Sequence, residues 1–181
     1  MSKYHLNKEN TVLVIIDVQE RLMNAMPDRD KVYKNSLILI DAAKQMSIPI
    51  IVTEQYPRGL GATVAPIKEH LEDYQYIEKV SFSVSEALLK KLSDDERKTL
   101  IVLGSETHVC VYQTTRDMIE AGYNVHVVKD AVCSRFEENY LNGLELMRDL
   151  GAVISNTETI VFDLLKLAGT PDFKAISPLI K

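Results

Sequence analysis

The sequence predicts an α/β fold built on a parallel sheet covered on both faces. Six near-continuous apolar runs of strand length recur along the 181 residues, and segments of helical periodicity separate them. No repeat, low-complexity tract or linker interrupts this alternation, so residues 1–181 read as one domain with a substantial core.

The elements follow in order. Thr11 to Asp17 is the first strand, and a helix covers about Val32 to Met46, with Leu37, Ile40 and Ala43 spaced for one face. Ile48 to Thr53 is the second strand, with Pro49 near its start, where no ladder donor is needed. Gln55 to Val64 contains Pro57, Gly59 and Gly61 and reads as a loop, followed by a short helix near Ala65 to Leu71. Tyr74 to Val80 is a partly polar third strand, and Glu86 to Leu92 is helical. Thr99 to Leu103 is the fourth strand. The helix after it ends at Gly122, as C′ glycines end helices. Asn124 to Lys129 is the fifth strand, Glu137 to Leu150 a helix closed by Gly151, Ala152 to Ser155 the last strand, and Thr157 to Leu167 the last long helix. The tail, with Pro171 and Pro178, is expected to wrap the surface.

Composition narrows the functional classes. Hydrophobic residues make up 46% and charged residues 26%, the balance of an ordinary globular chain. The net charge of −5, with no basic block beyond pairs such as Lys90-Lys91, argues against nucleic acid as a partner. No apolar stretch approaches the ~20 residues that span a bilayer, and Met1-Ser2-Lys3-Tyr4-His5 lacks the apolar core of a signal peptide, so no membrane partner is expected. Two cysteines make no disulfide framework, and the expected location is the reducing cytoplasm.

Three residues stand at carboxyl ends of strands, where open α/β sheets bind ligands. Asp17 ends the first strand after six uncharged residues, Lys79 ends the third, and Cys110 follows the fourth in Gly104-Ser105-Glu106-Thr107-His108-Val109-Cys110. Taken singly, each has a plain reading: a helix-capping carboxylate, a solvated lysine and an inert buried cysteine. Together they make a chemical unit. A thiol in the first turn of a helix feels the positive end of its dipole, which favours thiolate, and Ser105 and Thr107 are residues that cap such a turn. A carboxylate can accept the thiol proton, and a lysine stabilises the resulting charge and favours the ionised carboxylate. His108 is a rival base, but positions i and i+2 of a helix point apart, so it reads as a rim residue.

Ile16-Asp17-Val18-Gln19, Glu78-Lys79-Val80-Ser81-Phe82-Ser83 and Gly104 to Thr115 resemble the isochorismatase-like cysteine hydrolases in order and spacing, over nearly the whole chain. Thr53 to Thr63 resembles the loop of one subgroup, the isochorismatase domain-containing proteins, and Asp130-Ala131-Val132-Cys133-Ser134-Arg135 also resembles the family. The resemblance implies a three-layer α/β/α fold with a six-stranded parallel sheet in the order 3-2-1-4-5-6. It implies Asp17, Lys79 and Cys110 as a catalytic triad. It also implies a cis bond between Ser105 and Glu106, which would aim the Glu106 N–H with the Cys110 N–H as an oxyanion hole. A homodimer or larger homo-oligomer is implied as well. Leu164, Leu165 and Leu167 are read as apolar surface available to it.

The expected reaction is hydrolysis of a small amide-like substrate through a thioester on Cys110. Candidate substrate-binding residues are Gln19, Gln55, Tyr56, Phe82 and Tyr112, with Thr114 beside them. Tyr56 and Phe82 offer apolar walls, Gln19 and Gln55 polar contacts; alternatively Phe82 is core and Gln19 braces a turn. Arg58 is a candidate for an acidic substrate group. Cys133, in a loop after the fifth strand, reads as structural. Nicotinamidases of the superfamily bind a metal through an aspartate and histidines after strand two. Gln55-Tyr56-Pro57 stands there instead, and His5, His70, His108 and His126 show no ligand spacing, so no metal or other cofactor is expected. His70, in a mainly polar helix, reads as exposed. The alternatives are an isochorismatase-type or other non-amide hydrolase, and a binding or regulatory protein that lost turnover. A flavodoxin-like nucleotide binder lacks its glycine fingerprint here, and a nuclease lacks a basic stripe.

Overall fold

A computed structural model describes residues 2–180; Met1 and Lys181, the two ends of the expected domain, lie outside them. The six strands are β1 (Thr11–Ile16), β2 (Ile50–Gln55), β3 (Gln75–Lys79), β4 (Thr99–Ser105), β5 (Asn124–Cys133) and β6 (Val153–Ser155). All pair in parallel in the order β3-β2-β1-β4-β5-β6, the order the resemblance implies. The helices are α1 (Glu20–Met23), α2 (Arg29–Gln45), α3 (Pro57–Leu60), α4 (Ala65–Lys68), α5 (Ser85–Lys91), α6 (Tyr112–Glu120), α7 (Glu137–Asp149), α8 (Thr157–Leu165) and α9 (Pro171–Ile176).

The strand pleat sends alternate residues to opposite faces, and both faces are apolar. Leu13 and Ile15 of β1 join a core with Met23 of α1, Ile40 and Ala43 of α2, Ile67 of α4, and Ile160 and Leu164 of α8. Val12, Val14 and Ile16 join the opposite core with Leu88 of α5, Met118 of α6, and Leu144 and Met147 of α7. Three layers result, α/β/α. Leu164 and Leu165 are buried in the first core, not presented as surface; only Leu167, past the end of α8, is strongly exposed. The α8 stripe is consumed within the chain because it packs on β5 and α2.

Several boundaries differ from expectation. β2 begins two residues later and runs to Gln55, because Ile50 to Thr53 pair with β1 and Ile51 to Gln55 with β3. The predicted loop after it contains the helical turn α3, opened by Pro57 in the first helical turn, where its missing N–H costs nothing. β5 continues past Lys129 to Cys133, so Cys133 lies at a strand end beside Ser105 of β4, buried, and not in a loop.

Gly104 permits the central closure. Its φ is +119°, and a Cβ there would stand 1.9 Å from the Ile16 carbonyl oxygen of the neighbouring β1. Only glycine allows this approach of the two strands that carry Asp17 and the Cys110 turn.

Candidate active site

Asp17 follows β1 directly, with a positive φ of 50°. Its backbone is held from both sides: the Asp17 N–H donates to the Thr53 carbonyl (3.2 Å), and the Ser105 hydroxyl donates to the Asp17 carbonyl (2.8 Å). Its side chain is fully buried. Oδ1 accepts from Thr53 Oγ1 at 2.6 Å, and Oδ2 pairs with Lys79 Nζ at 2.6 Å. Lys79 closes β3 with its side chain 4% exposed, and its ammonium also donates to Gln55 Oε1 (2.8 Å) and the Phe82 carbonyl (3.0 Å). A buried ion pair persists only when its remaining donors and acceptors are satisfied, and here neutral partners complete both ions.

Cys110 is buried and faces both members of the pair. Burial pushes its thiol up to about 12, the Asp17 carboxylate adds to the rise, and Lys79 opposes it. The thiolate expected from a helix dipole is therefore not the resting form. Desolvation penalises the anion, and the thiol proton is held towards a carboxylate. The local backbone differs too. Cys110 lies in a wide π-helical turn, Thr107–Val111, that precedes α6, with the Val109 and Val111 N–H groups both donating to the Glu106 carbonyl. π-Helical turns frequently occur at functional sites. Neither predicted cap acts as one: Ser105 bonds Asp17, and the buried Thr107 hydroxyl has no partner. The Ser105–Glu106 peptide bond is cis.

The Glu106 side chain, 7% exposed, accepts from the Arg135 backbone N–H (3.2 Å) and from its guanidinium Nε (3.0 Å). His108 contacts Ser134 Oγ through Nδ1 at 3.0 Å, on the rim. These two contacts fasten the turn to the segment after β5. α7 lies directly against the same turn, since a Cβ on Gly143 would come within 2.9 Å of His108 Cα.

The candidate binding residues divide. Gln55 is oriented by Lys79 and by donation from Nε2 to the Val80 carbonyl (2.6 Å). Tyr56 and Phe82 are each 53% exposed, so Phe82 is not core; Tyr56 follows Gln55 in the chain, and the Phe82 carbonyl accepts from Lys79 Nζ. Tyr112 is partly buried, with the Arg116 guanidinium 5.7 Å from its ring. Arg58 is exposed on α3. Gln19 is fully buried, and its amide is taken up by backbone: Nε2 donates to the Gly61 (2.7 Å) and Gln55 (3.1 Å) carbonyls, and Oε1 accepts from the Gln55 N–H (2.7 Å). It is a brace, and the expectation of a substrate contact is corrected. Thr114 is likewise occupied, accepting from the Val84 N–H at 3.2 Å. His70 is half-buried, with Nε2 2.6 Å from Asp41 Oδ1, and not freely exposed. No sequence motif pointed to Thr53 or to the Ser105 hydroxyl as supports of Asp17. The available signal was a polar residue near the carboxyl end of each strand flanking β1.

Residues 11–159 match the isochorismatase domain family. The chain belongs to the isochorismatase family. Among relatives of this isochorismatase-family chain, the secreted isochorismatase effector Isc1 of Phytophthora sojae is 38% identical, over 95% of this chain and 85% of that protein. The structure of the MAR1 ribonuclease from Caenorhabditis elegans is 38% identical with a TM-score of 0.92, covering 97% of this chain and 92% of that one. The Escherichia coli ycaC gene product, described as an octameric hydrolase of unknown specificity, is 27% identical with a TM-score of 0.89, covering 97% of this chain and 89% of that one.

Proposed function

We propose that this chain is a cysteine hydrolase of small amide-like substrates, with Asp17, Lys79 and Cys110 as its triad. The observation that supports it is the enclosure of a thiol, a carboxylate and an ammonium in one buried cluster at the carboxyl end of the sheet. Asp17 takes the Cys110 proton as the sulfur adds to the carbonyl carbon, so little free thiolate need accumulate beforehand. The Glu106 and Cys110 N–H groups hold the oxyanion. Protonated Asp17 delivers its proton to the leaving amine, the C–N bond breaks, and a thioester remains. Asp17 then takes a proton from water, hydroxide adds to the thioester, the acid departs and the proton returns to sulfur. Lys79 keeps Asp17 in place. Tyr56, Phe82, Tyr112 and Gln55 flank the substrate.

We read the chain as one domain that works as a homo-oligomer; the octameric hydrolase among its structural neighbours supports the assembly. The cytoplasmic location rests on the two unpaired cysteines, while a relative in Phytophthora sojae is named as secreted. No helix of the described residues is long and apolar enough to cross a membrane.

A second reading, ribonuclease activity, is favoured by the name of the Caenorhabditis elegans structure. One experiment separates the two. Purified wild type and Cys110→Ala are assayed against a panel of small amides and thioesters and against RNA. Amide turnover that vanishes in the variant, with unchanged circular dichroism, supports the hydrolase. Amide turnover that survives Cys110→Ala overturns the mechanism. RNA cleavage by wild type alone, with no amide turned over, selects the second reading.

A further inference from the structure

A second cleft lies on the opposite face of β2 from Thr53 and Gln55. Its volume is about 260 Å³, and Glu54, Thr63, Lys68, Leu71, Tyr74 and Tyr76 line it. Glu54 points there because it alternates with Thr53 and Gln55 along the strand. Its side chain is unusual for a buried acid. Glu54 is only 7% exposed, and no Lys, Arg or His among the described residues forms an ion pair with it. All its partners are neutral: Oε1 accepts from the Thr63 N–H (2.6 Å) and hydroxyl (2.8 Å), and Oε2 accepts from the Tyr76 hydroxyl (2.9 Å). A carboxylate offers about four lone-pair sites, so one on Oε2 remains beside the cleft. Buried acids are ordinarily paired with a base; Lys68 also lines this cavity, yet it makes no ion pair with Glu54.

We propose that this cleft binds a small primary ammonium ion. Glu54 supplies a carboxylate acceptor, Tyr74 and Tyr76 bring to the lining aromatic side chains of the kind that attract organic cations, and Leu71 brings an apolar side chain beside a short alkyl chain, while Lys68 in the same lining opposes a cation and must turn outward to solvent. The volume falls below the ~300–1,000 Å³ of sites for drug-sized ligands, which limits the ligand to a few carbons. A metal ion fits less well, because no group of three His, Cys, Asp or Glu side chains gathers among the described residues. The site touches the active-site loop. Thr63, tied to Glu54, pairs with Gln19, which in turn braces Gln55 beside Lys79. The proposal is independent of the reaction proposed for Cys110.

The test is titration of the ¹⁵N-labelled full chain with n-butylammonium chloride, with n-butanol and sodium chloride as controls. Saturable shifts of the Thr63, Tyr74 and Tyr76 amides by the amine alone are expected. Glu54→Gln and Tyr74→Ala should each weaken binding, the former by about tenfold or more, as loss of one charge-assisted contact implies. Equal shifts with butanol, no saturable shift in the folded wild type, or undiminished binding in both variants overturns the proposal. Binding that emerges only in Lys68→Ala also overturns it, since the chain's own lysine would then be the occupant.

Discussion

Lys79 Nζ lies 2.6 Å from Asp17 Oδ2, joining residues 62 positions apart in a pair almost wholly withdrawn from water. Cys110 faces this pair, and the two ions act on its proton in opposite senses. The Asp17 carboxylate favours the proton on sulfur, and in the mechanism we propose it is also the group that takes that proton during attack. Lys79 favours the anion.

This opposition makes a prediction with a sign. Burial is the larger cause of the elevated thiol, and Asp17 adds to it. Asp17→Asn should lower the pKa of Cys110 and speed its alkylation by iodoacetamide at pH 8, yet reduce turnover by ~10²-fold or more through loss of the general base we propose. Lys79→Ala should slow alkylation, because the one charge that favours thiolate is gone. The pH dependence of the labelling rate in the three proteins, with Cys133→Ser as background, checks both. Slower labelling in Asp17→Asn would contradict the arrangement.

Gln19→Ala removes the brace between α1 and the 56–63 segment. It leaves the buried Gln55 N–H and the Gly61 carbonyl without their side-chain partner. An unsatisfied buried polar group costs ~1–3 kcal/mol, so a stability loss of about 2 kcal/mol or more is expected. Urea unfolding measures it. Hydrogen exchange should show faster exchange confined first to residues 56–63.

Gly104→Ala should be far more damaging than a typical glycine substitution. The new methyl would overlap the Ile16 carbonyl at a positive φ, and backbone of a central strand cannot move aside. A loss of ~3 kcal/mol or more is expected, seen as a large fall in thermal midpoint or as insoluble protein. Gly122→Ala is the control: its φ is +86° but nothing lies within 4 Å, so only the conformational cost applies.

His126 gives a pH-dependent stability. It is buried, with Nε2 2.9 Å from the Lys3 carbonyl, and burial lowers its pKa below the ordinary value. The unfolded chain therefore binds a proton that the folded chain refuses. Stability is full above the unfolded value of ~6.5 and falls as pH drops from there towards the lowered folded value. Thermal midpoints from pH 7.5 to 5.5 should decline, and His126→Gln should flatten that part of the decline. An unchanged slope in the variant would show that His126 contributes nothing to it.

The legible parts of this protein are those whose signal is local. Val12 to Ile16 and Leu100 to Leu103 are apolar without interruption, so their burial on both faces could be read directly. Strand ends were less legible. β5 runs on to Cys133 through Lys129 and Asp130, because its extension is set by pairing with Gly104 and Ser105 of β4 and not by its own pattern. The same division runs through the site. Asp17, Lys79 and Cys110 could be placed together because each follows or ends a strand of one parallel sheet. Gln19 could not be distinguished from a ligand contact, since its partners Gln55 and Gly61 are 36 and 42 residues away.

By itself, then, the sequence determined the alternation of strand and helix, the parallel sheet, and the gathering of a thiol, a carboxylate and an amine at one end of it. Periodicity and strand-end position are properties of neighbouring residues along the chain, and hydrophobic burial enforces them. Tertiary structure alone decided the upward push on the Cys110 thiol, the work of Gln19 and Ser105, and the burial of Glu54 without an ion-pair partner among the described residues. Each of these depends on how much water is excluded and on which distant donor arrives within 3 Å, and such quantities exist only once the layers have closed.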